Sequence, residues 1–82
     1  MKRVPELIRW LDSVQSSPSW ARTDSLGPLG VCECVSVGFV IAEDDAAVML
    51  AQSMADVADD NPQCAGRMQI PKCSVIARRT LR

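Results

Sequence analysis

The sequence predicts a small, mostly β domain: a five-stranded barrel with one short helical turn. Three stretches point to it. In CECVSVGFVIA, from Cys32, the residues Val35, Val37, Phe39 and Ile41 alternate with Cys34, Ser36, Gly38 and Val40, a period of two with β-branched enrichment. The acidic EDD at 43–45 is a tight polar connection between two apolar runs. In GRMQIPKCSVIARRTL, Met68 and Ile70 share one face of a short strand, Pro71 forbids continued ladder pairing, and a second short strand starts at Val75.

Length and composition set the outer limits. With 82 residues there is room for one domain spanning 1–82, because two would each be too small to hold a core. A chain that is 48% hydrophobic and 23% charged has the balance of a folded domain. So short a chain buries a modest share of its surface, and a partner subunit is an expected source of added stability. The net charge of −1 argues against a long electrostatic grip on duplex DNA or on an acidic membrane surface.

Taken in order, the N-terminal VPELIRWLDS is an apolar-polar segment whose apolar run is broken by Glu6, Arg9 and Asp12, so neither an export signal nor a membrane span is read there. SSPSW and SLGPLG hold enough Ser, Pro and Gly for an extended connection, with room for a helical turn at 18–24. Residues 34–41 form the central strand. After EDD the pattern is divided. Ala47, Leu50, Ala51, Met54 and Ala58 fall at helical spacing, whereas Val48 and Leu50 alternate with Met49 and Ala51 as a returning strand. Strand, one tight turn, strand at the C-terminal end is the closing signature of small barrels of the Sm or Src-homology kind, and closure removes bare strand edges.

RWLDS, the later Trp20, CVSVGFVIAEDD, VMLAQS and MQIPKCSVIARRTL together resemble a group of small proteins of tailed bacteriophages and prophages. Their shared pattern is a Trp-x-Asp segment, a second Trp, Ser-x-Gly-Phe, an acidic turn, Leu-Ala-Gln-Ser and a late Ile-Pro. The likeness covers most of the chain and implies that 46–53 is a strand, although Ala and Met stand here where that group is usually β-branched. With no export signal or span read in the sequence, the chain is expected in a reducing cytoplasm, which the likeness makes that of a bacterial host.

Candidate sites follow from residue chemistry. With no histidine, Ser-His and Cys-His catalytic pairs are excluded within one chain, and no catalytic residue is assigned. Cys32-x-Cys34 and Cys64-x8-Cys73 lack the paired spacing of a zinc knuckle, so the four cysteines are read as buried or half-buried thiols, with no metal and no cofactor. Glu43, Asp44, Asp45, Asp56, Asp59 and Asp60 lack the ordered spacing of a calcium loop and are assigned to turns. Trp10 is read as a core anchor, and Trp20, among polar residues, as a possible stacking surface. Arg67, Gln69 and Lys72 lie around Pro71, where a guanidinium, an amide and an ammonium could meet a phosphate or a base edge. They form, with Trp20, the expected ligand site. The acidic segments and the ARRTLR tail are set down as solvated charge.

Cys34, Ser36, Gly38, Met49 and Ala51 are expected to make a second, small and apolar face of the central hairpin that another subunit covers, giving a homo-oligomer. The expected function is that of a non-enzymatic phage accessory protein that counters host defence, by sequestering a nucleotide signal such as a cyclic nucleotide or by blocking a host defence protein. The alternative is an Sm-like module for RNA or single strands.

Overall fold

The structure, a computed structural model, describes residues 4–82. Five strands form one antiparallel sheet: β1 (Pro5–Asp12), β2 (Cys32–Glu43), β3 (Ala47–Ala55), β4 (Gln63–Pro71) and β5 (Val75–Thr80), in the spatial order β4-β3-β2-β1-β5. The alternation in 34–41 and the acidic connection at 43–45 do produce a hairpin, with Phe39 opposite Ala51 and Val40 opposite Leu50. The helix-forming residues of 46–55 are overridden because Val48 and Leu50 reach a core only as alternate residues of a strand. Asp44 makes the turn: its N–H donates to the Ala47 carbonyl, and its Oδ1 accepts from the Ala46 and Ala47 amides at 2.8 and 2.9 Å.

The β1–β2 and β2–β3 pairings divide β2 between them. Its N-terminal part pairs with β1, from Asp12 opposite Cys32 to Pro5 opposite Phe39, and its C-terminal part, from Phe39 to Glu43 with a register shift between Val40 and Ala42, pairs with β3. Gly38 sits where β2 passes from one partner to the other. A Cβ there would come 2.8 Å from the Ala51 carbonyl oxygen and 3.1 Å from Leu50 Cβ, so only a glycine lets the strands pass this closely. The bulge and the glycine curl the sheet. As a result Ile8 of β1, Val48 and Leu50 of β3 and Ile70 of β4 meet in one buried cluster, with Trp10, Val40 and Val75 packed against it.

Curling stops short of closure. The sheet ends at β4 on one side and β5 on the other, so the expected closed barrel is an open, curled sheet. The helical turn is also displaced. Residues 18–24 contain only a bend and a turn, while the helical residues are the 3-10 turn Lys72–Ser74 between β4 and β5, placed there because Pro71 ends the β4 ladder. Among the described residues no helix is long and apolar enough to cross a membrane.

Residues 13–31, between β1 and β2, are exposed throughout and lack regular structure. The hydrogen bonds of the stretch 14–31 outside the strand ladders stay inside it: the Ser19 amide donates to Ser17 Oγ, and Ser25 donates to the Arg22 carbonyl. The structure measures 58 Å along its long axis against 23 and 22 Å in the other directions.

Candidate functional site

Two polar clusters flank the sheet. The first is built of opposite charges and is complete in itself. Arg78 on β5 donates from Nε to Glu6 Oε1 on β1 at 3.0 Å and from Nη1 to Glu43 Oε2, at the end of β2, at 2.7 Å. Lys72, in the 3-10 turn, places Nζ 2.7 Å from the same Glu43 oxygen. With Arg78 and Lys72 both on it, Glu43 is held well below its ordinary range, to about 2, chiefly by the Arg78 hydrogen bonds. The pairs tie β5 and the 3-10 turn to the end of β2, which no ladder joins to either, and add a side-chain link to the β1–β5 ladder.

The second cluster is a shallow, open cavity of about 570 Å³ on β3 and β4, lined by Met49, Cys64, Ala65, Gly66, Arg67 and Gln69. The ladder explains its make-up. Met49 stands opposite Gln69 and Ala51 opposite Arg67, so period two puts Met49, Arg67 and Gln69 on the outer side while Met68 and Ile70 turn inward. Gly66, at φ +69°, lets β4 lie against Gln52, whose Oε1 would be 2.7 Å from a Cβ at that position. Among the described residues Arg67 has no carboxylate partner, in contrast to Arg9, paired with Glu33, and to Arg78. Arg67 thus lines the cavity with no acid on its guanidinium.

Of the four residues expected at a ligand site, the structure brings Arg67 and Gln69 together. Lys72 does not join them: past Pro71 the chain turns, and its ammonium goes to Glu43. Trp20 lies on the arm, fully exposed at 104%, and lines no part of the cavity. Met49, Cys64 and Gly66 are lining residues that the ligand-site reading missed. A strand over 46–53 puts Met49 on a face of the sheet, but its register against Gln69 and the positive φ of Gly66 have no sequence signal beyond the glycine itself.

The expected subunit-facing set is divided by the register. Cys34, Ser36 and Gly38 lie on the inner side with Trp10, Ile8 and Glu6 opposite them, while Met49 and Ala51 lie on the outer side with Phe39. The bulge between Val40 and Ala42 is the reason, because it breaks the simple alternation that would put all five on one face. Ala51 is fully buried. Trp10, as read, packs on the core, and its Nε1 donates to Ser36 Oγ at 3.0 Å.

The cysteines correct one reading. Cys32, Cys64 and Cys73 are exposed and only Cys34 is half-buried, since none of them falls at a position that the small core occupies. Cys32 and Cys34, on one side of β2, bring their sulfurs to 3.8 Å, and partial burial together with Cys32 raises the Cys34 thiol pKa. The acidic residues serve turns. Asp56 Oδ2 accepts from Gln63 Nε2 at 2.7 Å and Asp59 Oδ1 from the Asn61 amide at 3.1 Å, and among the described residues no three Cys, Asp or Glu gather as a metal site. Comparison with protein-family models, with curated proteins and with solved structures finds no match.

Proposed function

We propose that the chain is a non-enzymatic binding protein that takes a compact anionic ligand, of the size and chemistry of a small or cyclic nucleotide, at the Arg67–Gln69 cavity, and that it serves a phage by sequestering such a signal from host defence. The observation that carries the reading is Arg67: a guanidinium without a carboxylate partner, beside the Gln69 amide, in a depression of about 570 Å³. Ligand pockets commonly enclose roughly 300–1,000 Å³, and a planar guanidinium matches phosphate oxygens two at a time. Met49 adds an apolar, polarisable wall on which a base can rest. The biological part of the reading rests on the likeness of the Trp-x-Asp, Ser-x-Gly-Phe and Ile-Pro pattern to phage proteins.

The Sm-like reading has its own support. The order β4-β3-β2-β1-β5, with a 3-10 turn joining the two edge strands, is the arrangement from which small barrels close. A module of that kind would bind single strands along several contacts, with an affinity that falls steeply as salt rises.

Calorimetry with cyclic di- and trinucleotides, on wild type and on Arg67→Ala, tests the first reading. Binding that Arg67→Ala weakens roughly tenfold or more supports it, since a charge-assisted hydrogen bond contributes about 1.5–3 kcal/mol. Binding that survives Arg67→Ala and Gln69→Ala unchanged puts the site elsewhere. Binding of single-stranded oligonucleotides alone, with a steep salt slope, favours the Sm-like reading. No binding to either leaves direct contact with a host protein as the function.

A further inference from the structure

The solvent-accessible surface is 6728 Å². A compact monomer of the same mass exposes about 4,800 Å². The radius of gyration is 17.1 Å, against roughly 12 Å for a compact chain of this length. The excess, about 1,900 Å² per chain, is more than the roughly 800 Å² that each partner gives to a standard protein–protein interface.

Most of the exposed large apolar side chains fall in two places, although Val57, Met68 and Ile76 are exposed elsewhere. On the arm, Trp20 and Leu29 are exposed at 104% and 96%, and Leu26, Val31 and Val14 stand out beside them. On the outer face of β1 and β2, Leu7 lies opposite Val37 and Arg9 opposite Val35; Val35 and Val37 are more than half exposed, and Leu11 extends the patch. Among the described residues the core is one cluster of four buried side chains, and the cysteines are free. A domain of this size with so few buried side chains and no cross-link lacks the usual staples, which leaves association as the source of added burial.

We propose that residues 13–31 are an exchange arm, and that two copies of the chain form a reciprocal dimer in which each arm lies across the Leu11–Val35–Val37 face of the other. The geometry favours a second copy. The arm leaves after Asp12 and returns at Cys32, a paired position at the end of the β1–β2 ladder, so arm and patch adjoin on one chain. A two-fold axis at that end lays each arm over its partner's patch and covers both apolar surfaces in one self-complementary contact. Fully extended, even half the arm reaches on the order of 30 Å, enough to span two strands and continue along them. Charge permits the approach: the arm carries only Arg22 and Asp24, the patch charges Arg9 and Glu33 are paired with each other, and the chain's net charge is −1. The dimer is independent of the Arg67 cavity, whose lining comes from β3 and β4.

Sedimentation velocity of the full chain at micromolar concentration should give a dimer. Trp20→Ser combined with Leu29→Ser should weaken association roughly thirtyfold or more, as for a truncated aromatic anchor, with the strand circular dichroism unchanged. Val35→Lys with Val37→Lys should do the same from the patch side. A photo-crosslinker at position 20, in an equimolar mixture of isotopically light and heavy protein, should join the arm to peptides of β1 and β2 in mixed-isotope pairs. A wild-type monomer, a dimer indifferent to both pairs of substitutions, or crosslinks only within one isotope, which is the arm folding back on its own sheet, each overturns the proposal.

Discussion

The inner face of the sheet and the 13–31 arm place similar side chains in opposite surroundings. Ile8, Val48 and Ile70 have no exposed surface, while Trp20 and Leu29 have almost nothing against them. Hydrophobicity does not separate the two regions; the ladder does. A strand holds alternate residues on one side at a fixed spacing, and a bulge and a glycine then bend that side into a cup. The arm has Pro18, Gly27, Pro28 and Gly30, which interrupt any ladder, so its large residues have no common face to share. Core formation in this chain is a matter of backbone order first and side-chain apolarity second.

The largest effect of a single substitution is expected in the core. Leu50 is only 3% exposed, and it touches a cluster with few other members to close the gap. Leu50→Ala should lower the unfolding free energy by about 2–5 kcal/mol, from lost burial and the remaining cavity together. For a domain this small that is a large share of total stability, and urea unfolding followed by circular dichroism would read it as a large drop in midpoint. A loss comparable to that of an exposed substitution would show that the cluster is not what holds the sheet.

Next in size is the bend in β2. An alanine Cβ at 38 meets the Ala51 carbonyl oxygen at 2.8 Å, a backbone atom that cannot rotate away. Gly38→Ala should destabilise by about 1–3 kcal/mol, the range for overpacking. Gly30→Ala, in the arm, meets nothing within 4 Å and should leave the melting temperature unchanged. The pair of glycines sharpens the contrast between the two regions with the same chemical change in both.

Much of the sheet was legible in the sequence. The alternation of 34–41, the acidic turn and Ile70-Pro71 each carry a local reason for the element they produce, and all three appear. The return strand was undecided by pattern because Ala, Met and Leu suit either geometry, and only the tertiary contacts of Val48 and Leu50 decide for the strand. The site was less legible. Arg67 and Gln69 share a face by period two, but the direction of Lys72 depends on an ion pair to Glu43, a partner that sequence spacing does not indicate. The division of Cys34, Ser36 and Gly38 from Met49 and Ala51 turns on one bulge, and nothing in the residues at 40–42 announces it.

The charged tie across the curl gives a smaller, pH-dependent effect. Glu43 is held at about 2, against an ordinary 4.5, and Asp44 is lowered by the Ala47 and Ala46 amides. A carboxylate depressed in the folded state stabilises fully above its unfolded value and loses that contribution as pH falls toward the folded one. Stability should therefore decline from about pH 4.5 down toward pH 2, and Glu43→Gln should flatten part of that decline while leaving Asp44 to supply the rest. Urea midpoints at several acid pH values would measure both slopes. Identical slopes in wild type and Glu43→Gln would place the tie outside the stability of the sheet.

The smallest expected effect is in the arm itself. Trp20 is the largest side chain of the segment, and in one isolated chain it has no packing to lose. Trp20→Ala, measured at dilutions where any dimer has dissociated, should change the unfolding free energy by less than about 0.5 kcal/mol, the usual range for exposed substitutions. The same substitution at high concentration should lower the melting temperature, because a ligand or partner that binds only the folded state stabilises it in proportion to its concentration. The two regions thus predict opposite concentration dependences: Leu50→Ala acts at every dilution, Trp20→Ala only where chains meet. A Trp20→Ala loss of several kcal/mol in dilute protein would mean that the arm packs on its own sheet, and the contrast between the two regions would disappear.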